Sequence, residues 1–220
     1  MNKLTIELIK SALWSEPIPN EEITPEVYKE LREHTIHVLV YDVVEKAIMR
    51  DKLQNRWVRD FANQVNSFSI YMNTQKEIHD LLLGEGIIPV VLKGLMAAKY
   101  YPEPAYRCLG DIDIFPFSQE QNTVQKVVTL LKENGYEVGE DDGRHIECKK
   151  NEMILEIHYF FSTKKTAGDI ELDKILNDST PVESVIEKWP ESVFYTFKDE
   201  VNGLIFLQHI NQHLISGLGF

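Results

Sequence analysis

Residues Ile87–Phe115 read IIPVVLKGLMAAKYYPEPAYRCLGDIDIF, a short apolar run, a helix-compatible segment and then two aspartates. The run Ile87–Leu92 is short and β-branched, which predicts a buried strand, and Gly94 then opens a helix. Asp111 and Asp113 alternate with isoleucines, so a strand at this point directs both carboxylates to one face. Two like charges side by side are costly to bury, and a divalent cation is the usual remedy.

An Asp-x-Asp pair also has a plainer interpretation, a strand with a solvated acidic face, and the pair taken alone favours it. Other residues bear on the choice. Lys93 and Gly94 lie between the predicted strand and helix, where a glycine lets a ligand approach and free amides suit phosphate oxygens. Glu156 lies between two apolar residues of a later strand pattern, on the same face as His158. Together these residues favour a site for a metal and a phosphate.

The composition is that of a soluble globular chain with one large core or two small ones. No apolar run approaches the ~20 residues that span a bilayer, and the N-terminus lacks the order of a signal peptide. Cys108 and Cys148 fit a reducing compartment, so we expect a cytoplasmic protein with no membrane partner. A formal net charge of −12 argues against nucleic acid as the main ligand but allows a small anionic one.

The order of predicted elements divides the chain into three regions. Residues 1–84 carry helical patterns, residues 85–162 carry alternating strands and helices followed by further strands, and residues 163–220 carry a connection and the start of a helical region. This order predicts an α+β fold, a mixed β-sheet with flanking helices. The abrupt apolar ending at Phe220 leads us to expect that the natural chain continues.

Hydrophobic spacing predicts individual elements within these regions. Two long helices, Pro25–Arg50 and Lys52–Leu83, are predicted near the N-terminus. A hairpin is predicted around the turn at Lys150–Asn151. The polar composition of Ser162–Asp178 predicts an irregular connection, and a last helix is predicted from Lys198 to Leu214.

The landmark residues resemble those of a known group of enzymes. A glycine turn between strand and helix, Asp-x-Asp on the next strand and a third carboxylate on a later strand are typical of the DNA polymerase beta-like nucleotidyltransferase superfamily. The segments that resemble its family of uncharacterised bacterial nucleotidyltransferases are Leu92–Gly94, Tyr101–Pro102, Arg107, Gly110–Asp113 and Glu156–His158. The resemblance covers roughly residues 87–161, and residues 212–214 and 217–219 resemble that family's downstream helical region.

This resemblance implies a nucleotidyltransferase-like fold and a reaction that depends on Mg²⁺ or Mn²⁺. A nucleoside monophosphate would pass from an NTP such as ATP to a hydroxyl acceptor, either a small molecule or a protein, with release of pyrophosphate. The implied catalytic and metal-binding residues are Asp111, Asp113 and Glu156. The implied nucleotide-binding residues are Lys93, Gly94 and Arg107, and we include His158 as a further candidate.

Two other functions stay open. A metal-dependent phosphohydrolase could use the two aspartates with His158 or His145, but no His-Asp doublet accompanies them. A non-catalytic nucleotide-sensing or protein-binding module could keep the fold without turnover. The intact Asp-x-Asp pair and Glu156 count against this alternative, but the phosphate turn keeps it open, because Lys93–Gly94 stands where the superfamily has Gly-Ser or Gly-Gly. The acceptor, the preferred base and the oligomeric state are not encoded in any pattern of this sequence.

Overall fold

The computed structural model of the chain describes residues 2–120, 122–161 and 167–216. The chain folds into two compact units, Met1–Ile70 with Tyr100–Leu109, and Tyr71–Lys99 with Gly110–Phe220. The first unit is helical and the second contains the β-sheet, which confirms the predicted α+β class. The predicted division into residues 1–84, 85–162 and 163–220 stays a prediction.

Helices and one tight turn make up the first unit. Its elements are α1 (Lys3–Trp14), α2 (Pro25–Glu33), α3 (Tyr41–Val44), the first part of α4 (Asp51–Gly84) and a 3-10 turn at Pro104–Tyr106. The core includes Trp57 of α4, which is buried and donates its indole N–H to the His37 carbonyl at 2.7 Å. The predicted helix Lys52–Leu83 is confirmed as α4.

The predicted helix Pro25–Arg50 is wrong, because the chain leaves the helix after Glu33. Thr35 adopts a φ of 57°, in the left-handed region. The Ile36 amide then donates to the Leu31 carbonyl at 2.9 Å, a bond that closes the helix end. Threonine rarely adopts this conformation, so its presence here did not suggest a helix end. The spacing of apolar residues continues past Thr35 and gave no sign of the break either.

A seven-stranded mixed sheet organises the second unit. Its strands are β1 (Ile88–Val91), β2 (Ile112–Phe117), β3 (Glu137–Asp141), β4 (His145–Lys150), β5 (Met153–His158), β6 (Val182–Ile186) and β7 (Trp189–Thr196). The spatial order is β3-β4-β5-β2-β1-β7-β6. β2 runs parallel to β5 and β1 runs parallel to β7, whereas the other neighbours are antiparallel. The predicted mixed sheet and the hairpin β4–β5 are therefore confirmed.

The helices of the second unit include α5 (Gly94–Ala98), α6 (Thr123–Glu133), α7 (Ala167–Asp178) and α8 (Asp199–Ser216). One apolar core joins β1, β2, α7 and α8, and its buried residues are Val90, Leu92, Phe115, Phe161, Leu172, Leu176, Phe197 and Ile205. Phe115 lies two residues after Asp113 on β2, so the two side chains share a face of the sheet. Packing of the core against Phe115 thereby helps to fix the strand that carries Asp113.

The sequence-based prediction was also wrong in the C-terminal half of this unit. Residues 167–178 of the expected irregular connection form α7, and Asp173 of this helix accepts the Phe161 N–H at 2.8 Å. Residues 162–166, with the two lysines at their centre, lie outside the described residues, as do residues 217–219. β7 was not predicted, because its second residue is Pro190 and proline is disfavoured inside strands.

Among the helices that the structure describes, none combines the length and the apolar composition needed to cross a bilayer.

Candidate active site

The strand register of the second unit brings the predicted carboxylates together. β2 and β5 run parallel with Asp113 paired to Glu156, so both side chains lie on one face of the sheet. His158 comes two residues after Glu156 and shares that face. The antiparallel pairing of β4 with β5 sets His145 opposite His158. Four ionisable side chains from three neighbouring strands therefore form one patch.

Asp111 stands directly before β2 and completes the acidic part of this patch. Carboxylate oxygens of Asp111, Asp113 and Glu156 lie within 4.8 Å of one another. We call these three residues the carboxylate cluster. Asp113 is only 1% exposed, and the other two are half-buried. Three hard oxygen donors at this separation suit a divalent cation such as Mg²⁺ or Mn²⁺.

Within the protein, Lys93 and His158 neutralise Asp113. The Leu92 amide donates to the Asp113 carbonyl at 3.2 Å, which extends the β1–β2 pairing and sets Lys93 beside the aspartate. Lys93 Nζ lies 2.6 Å from Asp113 Oδ1, and His158 Nε2 lies 2.9 Å from the same oxygen. His158 Nε2 is also 3.2 Å from Glu156 Oε2. The imidazole thus links two of the three carboxylates.

Burial disfavours the ionised form of each carboxyl in the cluster, and the neighbouring side chains decide whether its pKa ends above or below the ordinary value. For Asp113 burial raises the pKa, but the His158 hydrogen bond and the Lys93 charge outweigh it and hold the pKa at about 2. For Glu156 burial also raises the pKa, but the His158 hydrogen bond together with the charges of His145 and His158 outweighs it and lowers the pKa. Burial and the charges of Asp113 and Glu156 raise the pKa of Asp111. A bound cation would favour the ionised form of Asp111, which burial and the two neighbouring carboxylates oppose.

Gly94 follows Lys93 at the start of α5, where its backbone conformation and its surroundings both exclude a side chain. Its φ is +34°, and a Cβ built on this residue would overlap the hydroxyl oxygen of Tyr71, in the second part of α4. Positive φ is readily adopted by glycine and costly for most other residues. The glycine therefore has a structural reason to be here in addition to its predicted contact with a phosphate.

Gly94→Ala is expected to lower the free energy of unfolding by about 1–3 kcal/mol, because the added methyl group overpacks against Tyr71 on a strained backbone. Chemical denaturation followed by circular dichroism gives this free energy. In a double-mutant cycle, Tyr71→Phe should recover part of the loss by removing the overlapping hydroxyl. An alanine variant as stable as the wild type would show that the overlap is not what this glycine avoids.

Arg107, the remaining predicted nucleotide ligand, belongs to the first unit. Its guanidinium lies over the ring of Tyr101, with Cζ 5.8 Å from the ring centroid. Its backbone carbonyl accepts a hydrogen bond from Gln64 Nε2 at 2.7 Å. The role of Arg107 in nucleotide binding stays a prediction from the sequence.

The sequence suggested His145 only as a possible residue of a phosphohydrolase site, yet its side chain lies within the patch. Its Nε2 is 3.5 Å from Glu156 Oε1, and its ring centroid is 5.0 Å from that of His158. Its Nδ1 is 3.6 Å from Asp142 Oδ1. The signal that finds it is the hairpin register, because counting back from the turn at Asn151 sets His145 opposite His158.

Comparison with known proteins places this geometry in context. A protein-family model described as uncharacterised nucleotidyltransferase matches residues 20–220, a range that includes the carboxylate cluster, Lys93 and Gly94. No curated protein and no solved structure matches the chain. The mixed sheet with its flanking helices is consistent with a nucleotidyltransferase-like fold. The matched range covers most of the chain, and the protein therefore belongs to the uncharacterised nucleotidyltransferase family.

Proposed function

We propose that this protein transfers a nucleoside monophosphate from an NTP to a hydroxyl acceptor in a reaction that depends on a divalent metal ion. The observation that carries the proposal is the carboxylate cluster, in which oxygens of Asp111, Asp113 and Glu156 lie within 4.8 Å. Membership of a nucleotidyltransferase family supports a role in nucleotidyl transfer. The acceptor is proposed to be a small molecule or a protein with a free hydroxyl group.

The chemistry of the donor set supports Mg²⁺ or Mn²⁺ as the ion. All three groups are carboxylates, and two of them come from paired positions on neighbouring strands, Asp113 and Glu156. Oxygen donors of this kind suit hard cations. When bound, such an ion supplies positive charge against the oxygens of the triphosphate and of the acceptor.

The residues of the chain have the following roles in this proposal. The acceptor oxygen forms a bond to the α-phosphorus, the bond from that phosphorus to the bridging oxygen breaks, and pyrophosphate leaves. Glu156, kept ionised by His158, accepts the hydroxyl proton. Lys93 moves its ammonium from Asp113 to a phosphate oxygen, and Gly94 leaves room for the phosphate next to the backbone.

A non-catalytic nucleotide-sensing or protein-binding module is a second candidate, and one observation favours it. Lys93 Nζ lies 2.6 Å from Asp113 Oδ1, so an ammonium already neutralises the most buried carboxylate and competes with a metal for it. A site held in this way would bind a nucleotide through the displaced lysine and carry out no transfer.

Nucleotides labelled on the α- or the γ-phosphate separate the candidates. We expect the α-label to enter the acceptor and the γ-label to appear in pyrophosphate, and we expect EDTA to abolish both. The assay uses ATP, GTP, CTP and UTP with Mg²⁺ or Mn²⁺, and both hydroxyl-bearing small molecules and the protein itself as acceptors. A γ-label that enters the acceptor, or is released only as inorganic phosphate, would contradict nucleotidyl transfer. Nucleotide binding without turnover on any acceptor would favour the sensing module.

The cellular site of this reaction is also a proposal. Cys108 and Cys148 are both free thiols, which supports a reducing compartment, and we propose the cytoplasm.

A further inference from the structure

Next to the carboxylate cluster lies a second group of metal-ligating side chains with different chemistry. One ligand atom each from His145, Glu156 and His158 lies within 4.8 Å of the others. All three residues belong to the paired strands β4 and β5, so backbone hydrogen bonds hold them in register. Imidazole nitrogens suit Zn²⁺, Co²⁺ and Cu²⁺, whereas Mg²⁺ prefers oxygen ligands. The two groups of ligands therefore favour different ions.

Two of the separations between these side chains are close to the ligand spacing around a four-coordinate ion. Metal bonds of ~2.0–2.2 Å set neighbouring ligand atoms roughly 3.4 Å apart. His158 Nε2 lies 3.2 Å from Glu156 Oε2, and His145 Nε2 lies 3.5 Å from Glu156 Oε1. The second distance is long for a hydrogen bond. The glutamate thus has one histidine beside each of its oxygens, and one ion would reach both histidines by contacting both oxygens or by a rotation of the carboxylate.

His145 also has a carboxylate on its outer side, at a distance longer than a hydrogen bond. Its Nε2 faces Glu156, while its Nδ1 lies 3.6 Å from Asp142 Oδ1. Asp142 is itself fixed, because the same oxygen accepts the backbone N–H groups of Arg144 at 2.8 Å and His145 at 2.9 Å. A carboxylate behind the imidazole orients the ring and raises its basicity as a ligand.

His158 is the buried member of this group, with a side chain that is 6% exposed. Its Nε2 lies 2.9 Å from Asp113 Oδ1 and 3.2 Å from Glu156 Oε2, and in the proposed site this nitrogen exchanges its hydrogen bond to Asp113 for the ion. Its Nδ1, on the other side of the ring, has no hydrogen-bond partner within the part of the chain that the structure describes. No bond at Nδ1 therefore fixes the tautomer, and Nε2 is available as a ligand when the proton resides on Nδ1.

We propose that His145, Glu156 and His158 form a second divalent-cation site, one that binds transition-metal ions such as Zn²⁺ in preference to Mg²⁺ and shares Glu156 with the carboxylate cluster. Three protein ligands leave one position of a tetrahedral ion for water or substrate. The inference goes beyond the proposed function, because this site binds its ion without nucleotide and without an acceptor.

Titration of the untagged, metal-free protein with Co²⁺, followed by visible absorption, tests this site. We expect tetrahedral Co²⁺ bands that saturate at one equivalent, disappear with Zn²⁺ and persist in millimolar Mg²⁺. His145→Ala should weaken Co²⁺ binding by about a hundredfold, and Asp142→Asn, which removes only the outer charge, by about tenfold. His34→Ala is the matched control, because His34 is an exposed histidine of the first unit. Binding that survives His145→Ala but is lost with Asp111→Asn would assign the ion to the carboxylate cluster and overturn the proposal.

A second measurement needs no variant and so does not depend on the folding of one. Pulsed electron paramagnetic resonance of one equivalent of Cu²⁺ in the wild-type protein detects the remote nitrogens of bound imidazoles. We expect modulation from two coupled imidazole rings, those of His145 and His158. A signal from one ring or from none would overturn the proposed donor set.

Discussion

Asp113→Asn should reduce nucleotidyl transfer by at least about 10²–10³-fold, because metal-assisted stabilisation of the transition state is worth several kcal/mol. Asparagine keeps the shape of the side chain and an oxygen that can accept from His158, but it lacks the negative charge that a cation needs. Asp113 is 1% exposed and is paired with Glu156 across β2 and β5. Because the strand pairing fixes this position, no neighbouring side chain can move in to supply the missing charge. Initial rates with the α-labelled nucleotide measure the loss.

Glu152→Gln is the matched control for this substitution. It removes the same charge from an exposed residue in the turn between β4 and β5, and its transfer rate should equal that of the wild type. Circular dichroism and thermal unfolding verify that the asparagine variant is folded. An Asp113→Asn protein that keeps transfer within a few-fold of the wild type would exclude Asp113 as a metal ligand.

Lys93→Met should lower the free energy of unfolding in EDTA by about 3 kcal/mol, the lower end of the cost of removing one partner from a buried ion pair. The lysine side chain is 15% exposed and the Asp113 side chain 2%, so the aspartate loses its closest countercharge. A divalent ion should restore part of that stability, because it replaces the missing ammonium and binds only the folded protein. Urea unfolding with and without Mg²⁺ measures both effects.

Lys76→Met is the control for the lysine substitution. Lys76 pairs with Asp80 one helical turn away, and the two side chains are 66% and 59% exposed. Exposed pairs of this type contribute about 0.3–0.5 kcal/mol, so the control should differ little from the wild type. Equal free energies of unfolding for the two variants in EDTA would show that Lys93 does not stabilise the buried charge of Asp113. In that case Mg²⁺ should also stabilise both variants to the same extent.

Local patterns were sufficient to single out the three carboxylates that the structure brings together. Alternation along β2 and β5 is a property of each strand by itself, and it gave the shared face of Glu156 and His158 directly. The pairing of Asp113 with Glu156 depends instead on a parallel contact between strands far apart in sequence. The sequence identified the residues of the carboxylate cluster, but their convergence required the register of the sheet.

Lys93 shows a second limit of local reasoning. Its place between a strand and a glycine predicted a phosphate ligand, and the structure gives it an aspartate within 2.6 Å. Only the β1–β2 pairing, extended by the Leu92 amide, shows that Lys93 starts beside Asp113. The two roles are compatible when the lysine exchanges its partner on nucleotide binding, and the Lys93→Met experiment measures the first of them.

Two elements of the second unit, α7 and β7, were not predicted from the sequence, because their local composition does not favour the structure that they form. Half of the residues of α7 are polar or charged, and its buried apolar residues are Leu172 and Leu176, four residues apart. β7 begins with a Trp-Pro pair, and proline is disfavoured inside strands, yet β7 pairs with both β1 and β6. Tertiary contacts of the second unit therefore overrode local preference in both segments.

Isothermal titration calorimetry with an α,β-methylene NTP analogue tests most directly whether the carboxylate cluster is a metal and nucleotide site. The analogue resists transfer, so the heat reports binding alone. We predict that wild type and Glu152→Gln bind it in the presence of Mg²⁺ or Mn²⁺ and not in EDTA, and that the Asp111→Asn/Asp113→Asn protein does not bind it under either condition. Binding with the same affinity in all three proteins, with and without the metal, would contradict a metal-dependent site at Asp111, Asp113 and Glu156.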